Sequence, residues 1–79
     1  MLKQQSLKVV VTFHTTAGAM AFERACKQQG IEGRLFPIPR ELSSDCGIAW
    51  QSAPALRTTL EQMIQEQTLE ISGIYELIC

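Results

Sequence analysis

Histidine occurs once in this chain, at His14, and cysteine three times, at Cys26, Cys46 and Cys79. No two of these four residues lie close together, and there is no CxxC pair. A structural zinc site takes four such ligands, usually paired at short spacing, so no metal centre is expected. An odd count also excludes a closed disulfide framework, and reduced thiols of a cytosolic compartment fit best. The seven Lys and Arg are scattered, and the net charge is −1. Nucleic acid is therefore not expected as the main partner, because phosphate binding relies on a basic surface. No apolar stretch approaches the roughly 18 to 20 residues of a membrane helix. The opening MLKQQSLK lacks the apolar segment of a signal peptide, so a soluble cytoplasmic protein without a cofactor is the expectation.

What is present suffices for one small domain, residues 1–79 with a core from about 8 to 78. Of the 79 residues, 46% are hydrophobic, enough for a single compact core. Lys8 to His14, KVVVTFH, is a β-branched and aromatic run of strand length. It is apolar on both faces, which places it inside a sheet. Thr15 or Thr16 caps a helix that runs to about Gln29. Its buried stripe is Ala19, Phe22 and Cys26, with Met20 and Ala25 beside it, and Gly30 stops it. Ile31 to Ile38 reads as a second strand, and Pro37 and Pro39, which lack amide donors, assign it to a sheet edge. Residues 39 to 45 form a connection dense in turn formers.

A third, short strand follows over Cys46–Gln51. Ser52 is then the expected cap of a second helix with Pro54 just inside it, running to about Gln67. Leu56, Leu60, Met63 and Ile64 form its buried stripe. Leu69 to Ile78 is the last strand, bent at Gly73. The order β-α-β-β-α-β is that of an α+β, ferredoxin-like split βαβ domain: an antiparallel sheet in the order 4-1-3-2 with both helices on one face. The face opposite the helices is open in this fold, and apolar residues on both faces of the strands point to a homodimer or a bound partner there.

The stretch Pro37 to Trp50, PIPRELSSDCGIAW, carries the chemistry. The topology collects the end of the first strand, the start of the first helix, the end of the second strand and the start of the third at one edge of the domain. His14, Thr15, Thr16, Arg40, Ser43, Ser44 and Cys46 gather there. Cys79 lies at the opposite edge and Cys26 on the core stripe. A thiol is a nucleophile only as the thiolate. Near its ordinary pKa of about 8.5, only about 3% is ionised at pH 7. A fall of about 1.5 units would ionise half and requires roughly 2 kcal/mol of preferential stabilisation. Arg40, the helix N-terminus and the hydroxyls of Ser43 and Ser44 are candidates to supply it, Gly47 to let another chain approach, and His14 to shuttle protons. Each has a plainer reading: a small apolar cysteine at a strand start, a solvated arginine, serines that form a turn, and a histidine that ends a strand.

The pattern TFHTT, AMAFE, GRLFPIPRELSSDCGIAW and the closing ISGIYEL resembles the selenium/sulfur carrier-like family over roughly residues 8 to 78. The resemblance implies a chain that holds sulfur or selenium on the cysteine of the SSxCG motif, here Cys46, and exchanges it with donor and acceptor proteins. That is a transfer protein rather than a turnover enzyme. It transfers no role to Cys79. The other reading that the fold allows is a non-catalytic binding, regulatory or dimerisation module with structural cysteines.

Overall fold

A computed structural model of the chain describes residues 6–38 and 47–78. The elements are β1 (Leu7–Thr12), α1 (Thr16–Gln28), β2 (Arg34–Pro37), β3 (Ile48–Ser52), a single 3₁₀ turn (Pro54–Leu56), α2 (Arg57–Gln67) and β4 (Gly73–Ile78). The four strands form one sheet in the order β2-β3-β1-β4, and every neighbouring pair is antiparallel. This is the ferredoxin-like arrangement, with β1 in the interior and the proline-bearing β2 at an edge.

The core lies between the helices and one face of the sheet. Val9, Val11, Phe13 and Trp50 rise from the strands to meet Ala19, Phe22, Ala25 and Cys26 of α1 and Leu60 and Met63 of α2. The Phe22 ring is central, tilted against Phe13 at 5.3 Å and edge-on to Trp50 at 5.8 Å. Such offset contacts suit the ring quadrupoles and add to the effect of area burial. The end of α1 is set by local chemistry. Gly30 takes φ +70, Gly30 N–H bonds the Lys27 carbonyl at 3.2 Å, and Ile31 N–H bonds that of Cys26 at 2.9 Å. This is a Schellman cap, and Ile31 completes it by packing into the core.

Several boundaries differ from the sequence expectation. β1 stops at Thr12 rather than His14: its last register partners are Ala49 on one side and, on the other, Gly73, where β4 begins. Ile31 is a helix-cap residue, so β2 begins only at Arg34. Met20 lies off the core stripe and is 57% exposed. β4 starts at Gly73, the point where a bend was expected, and not at Leu69.

The largest correction concerns Ser52. It does not cap α2; it is the last residue of β3, paired with Val9 and 4% exposed. Its hydroxyl accepts from Trp50 Nε1 at 2.6 Å and donates to the Glu32 carbonyl at 2.7 Å. A buried indole N–H needs an acceptor, and Ser52 supplies it while satisfying a carbonyl of the incoming β2 connection. α2 instead starts from the 3₁₀ turn opened by Pro54, without a side-chain cap.

The open face of the sheet also differs in its exposure. Its centre, Val10 and Ala49, is fully closed to solvent, with Phe36 and Leu77 partly buried beside them. The exposed large hydrophobics lie away from that centre: Leu7, Met20, Ile78 and, on the outer strand of the same face, Tyr75, the register partner of Val10.

Candidate functional site

The edge on which the sequence reading converges is built by three connections. β1 ends at Thr12, and the chain turns through Phe13 and the exposed His14 into Thr15. Thr15 is in extended conformation and caps α1: its hydroxyl accepts the Gly18 N–H at 3.0 Å, and its carbonyl accepts that of Ala19 at 3.2 Å. The first turn of α1 contains no acidic residue of its own, and a helix N-terminus carries a partial positive charge. Replacing the cap, Thr15→Ala, is expected to cost about 1 kcal/mol in a urea titration. A wild-type midpoint in that variant would show that the Gly18 bond contributes nothing.

On the other side of the edge, Pro37 of β2 faces Ile48 of β3. Ile38 N–H bonds the Gly47 carbonyl at 3.0 Å, closing the connection between the two strands at its base. Gly47 takes φ +71, and the space where a side chain would stand is open. Glycine is required here by backbone conformation, which other residues adopt at a cost, rather than by crowding. The antiparallel register pairs Thr12 with Ala49.

The structure thus brings His14, Thr15 and Gly47 to one edge. Arg40, Ser43, Ser44 and Cys46 lie outside the described residues, as does Cys79.

The sequence reading did not include one contributor to this edge, the connection from α2 to β4. Ser72 N–H bonds the Thr12 carbonyl at 2.7 Å, and the Thr12 hydroxyl meets the Gly73 carbonyl at 3.4 Å. The Glu70 carbonyl lies beside the first turn of α1, 3.6 Å from where a Gly18 side chain would begin. Thr68, which ends α2, holds the left-handed φ 51, a strained conformation for a β-branched residue. The signal was available in the topology, since the same alternation that starts α1 here also ends α2 here.

Cys26 is not part of this edge. It is fully buried on α1, and burial, reinforced by the nearby Glu23 carboxylate, pushes its thiol up to about 12. A thiol in that state is inert at neutral pH. Among the described residues, no cluster of His, Cys, Asp and Glu could hold a metal ion, and no helix is long and apolar enough to cross a membrane.

The family model described as "Putative Se/S carrier protein-like" matches residues 8–76, nearly the whole chain. No curated protein and no solved structure matches it.

Proposed function

Because the chain belongs to the selenium/sulfur carrier-like family, we propose that it carries a sulfur or selenium atom on Cys46 and passes it from a donor protein to an acceptor protein. The family match over residues 8–76 is the observation that carries this reading. Two features support it. Cys26 is closed to solvent with its thiol pushed up to about 12, which disqualifies it as a carrier. Cys46 is bonded to Gly47, whose carbonyl anchors the start of β3 at the edge shared with the α1 N-terminus.

The chemistry is thiol exchange. The Cys46 thiolate attacks the outer sulfur of a persulfide on the donor. A new S–S bond forms on Cys46, the donor's own S–S bond breaks, and the donor leaves as a thiolate. Cys46 then bears a persulfide, or a selenopersulfide where the donor bears selenium on its cysteine. A nucleophile on the acceptor attacks that outer atom in turn, and Cys46 returns to the thiolate. No net oxidation occurs in either step. Arg40, Ser43, Ser44 and the α1 N-terminus stabilise the anion that each step uses and restores, Thr15 holds that helix start in place, His14 relays the proton, and Gly47 admits the incoming chain. The exchange takes place in the cytoplasm, where free thiols persist.

Intact mass after incubation with a cysteine desulfurase and cysteine, and separately with a selenium donor, tests the reading. A gain of one sulfur or selenium atom is expected on the wild type and on Cys26→Ser, with complete loss in Cys46→Ser. Equal loading of Cys46→Ser and wild type would refute the assignment. Failure of all variants to load, with Cys46→Ser destabilised, would favour the structural role for this cysteine.

A further inference from the structure

The two margins of the sheet are not alike. β2 is four residues long and contains Pro37, which has no amide to offer a further strand, and the cation Arg34. Proline, positive charge and shortness are the devices by which sheet edges are protected from pairing. β4 has none of them. It is six residues long, GIYELI, with no proline and no cation, and among the described residues it pairs with β1 alone. Its one charge, Glu76, is engaged within its own chain by Arg57 Nη1 at 2.8 Å.

The exposed apolar residues concentrate on the same margin. Tyr75 is 48% exposed and Ile78 70%, both on β4, and Leu7, the register partner of Ile78 on β1, is 42% exposed. The centre of the open face, by contrast, is closed to solvent.

We propose that β4 is an interaction edge and that its occupant is β4 of a second copy of this chain, added antiparallel to give one continuous eight-stranded sheet. The edge is self-complementary, as a two-fold interface requires. Pairing about the middle of the strand sets Tyr75 opposite or diagonal to its own symmetry mate, an aromatic pair that stabilises antiparallel ladders. The two Glu76 side chains come together already paired to Arg57, so like charges do not oppose one another unscreened. An axis perpendicular to the sheet keeps both helical layers on the same side. It also sends the two Gly73 ends of β4 in opposite directions, so the edge bearing His14, Thr15 and Gly47 stays clear in each copy. The proposal is independent of the carrier chemistry.

Sedimentation velocity over a concentration series, with hydrogen exchange read by mass spectrometry, tests it. A reversible dimer is expected, with amides of residues 73–78 exchanging more slowly as concentration rises and those of 34–37 unchanged. Ile78→Lys and Tyr75→Lys, both at exposed positions, are each expected to raise the dimer dissociation constant at least tenfold with an unchanged far-UV circular dichroism spectrum. A wild-type chain that stays monomeric throughout overturns the proposal. So does a dimer indifferent to both lysines, or concentration-dependent protection on 34–37 in place of 73–78.

Discussion

In the folded protein, Cys26 is expected to present a thiolate fraction about three powers of ten below that of an ordinary thiol. Its pKa is pushed up to about 12 by burial first and by the Glu23 carboxylate second, and each pKa unit is a factor of ten in ionisation below the pKa. Alkylation of a Cys46→Ser, Cys79→Ser double variant, in which Cys26 is the remaining thiol, measures it. The rate should be negligible in buffer and ordinary in concentrated urea; comparable rates in both would show that α1 does not shield the sulfur.

The same shift makes stability depend on pH with a definite sign. Folding raises the pKa, so between about 9 and 12 the folded chain keeps a proton that the unfolded chain has lost. The contribution is full below that window and falls as pH rises through it, by about 1.4 kcal/mol per pH unit. Relative to pH 7, the loss reaches about 1.4 kcal/mol by pH 10. Urea titrations at both pH values should find this loss in the wild type and find it missing from Cys26→Ala, whatever that variant loses in packing. Parallel pH dependence of the two proteins would refute the assignment.

The second large effect is expected at Gly33. A Cβ there would meet the Gln51 carbonyl oxygen, the Ser52 hydroxyl at 2.5 Å and Trp50 Cζ2 at 2.6 Å. Two of these belong to the buried hydrogen-bonded chain from Trp50 through Ser52 to the Glu32 carbonyl, and the third is backbone in the centre of the sheet. None can move without breaking a buried polar contact or a strand pair, so Gly33→Ala is expected to cost about 3 kcal/mol. Gly30 is the control. It has a left-handed φ of +70 but nothing within 4 Å of the added carbon, so Gly30→Ala should cost only about 1 kcal/mol of backbone strain. Equal losses at the two glycines would mean that strand β2 shifts freely and that the close approach at Gly33 is not a constraint.

The contrast between these glycines shows where sequence reading stops. Gly30 was legible because a helix stop is written in adjacent residues: an amphipathic stripe through Ala19, Phe22 and Cys26, then a glycine. Gly33 was visible only as a glycine near a strand start, because the atoms that forbid a side chain there come from positions 50 to 52. The site divides in the same way. That His14, Thr15 and the start of β3 share an edge followed from the alternation of strands and helices, and the resemblance marked Cys46 within it. The contribution of the Thr68–Ser72 connection rests on hydrogen bonds spanning about sixty positions, such as that from Ser72 to Thr12.

By itself, the sequence determined the order of the elements, the interior position of β1, the edge position of β2 through its prolines, and the burial of Cys26. These follow from periodicity and from backbone chemistry that acts over a few residues. Only the tertiary structure decided that Ser52 satisfies a buried indole instead of capping a helix, that β1 stops at Thr12, and that exposed apolar surface collects on the β4 margin rather than at the centre of the open face. Each of these depends on which distant residue arrives as a partner, and hydrogen-bond partners and solvent exposure are properties of the packed chain, set once the strands are in register.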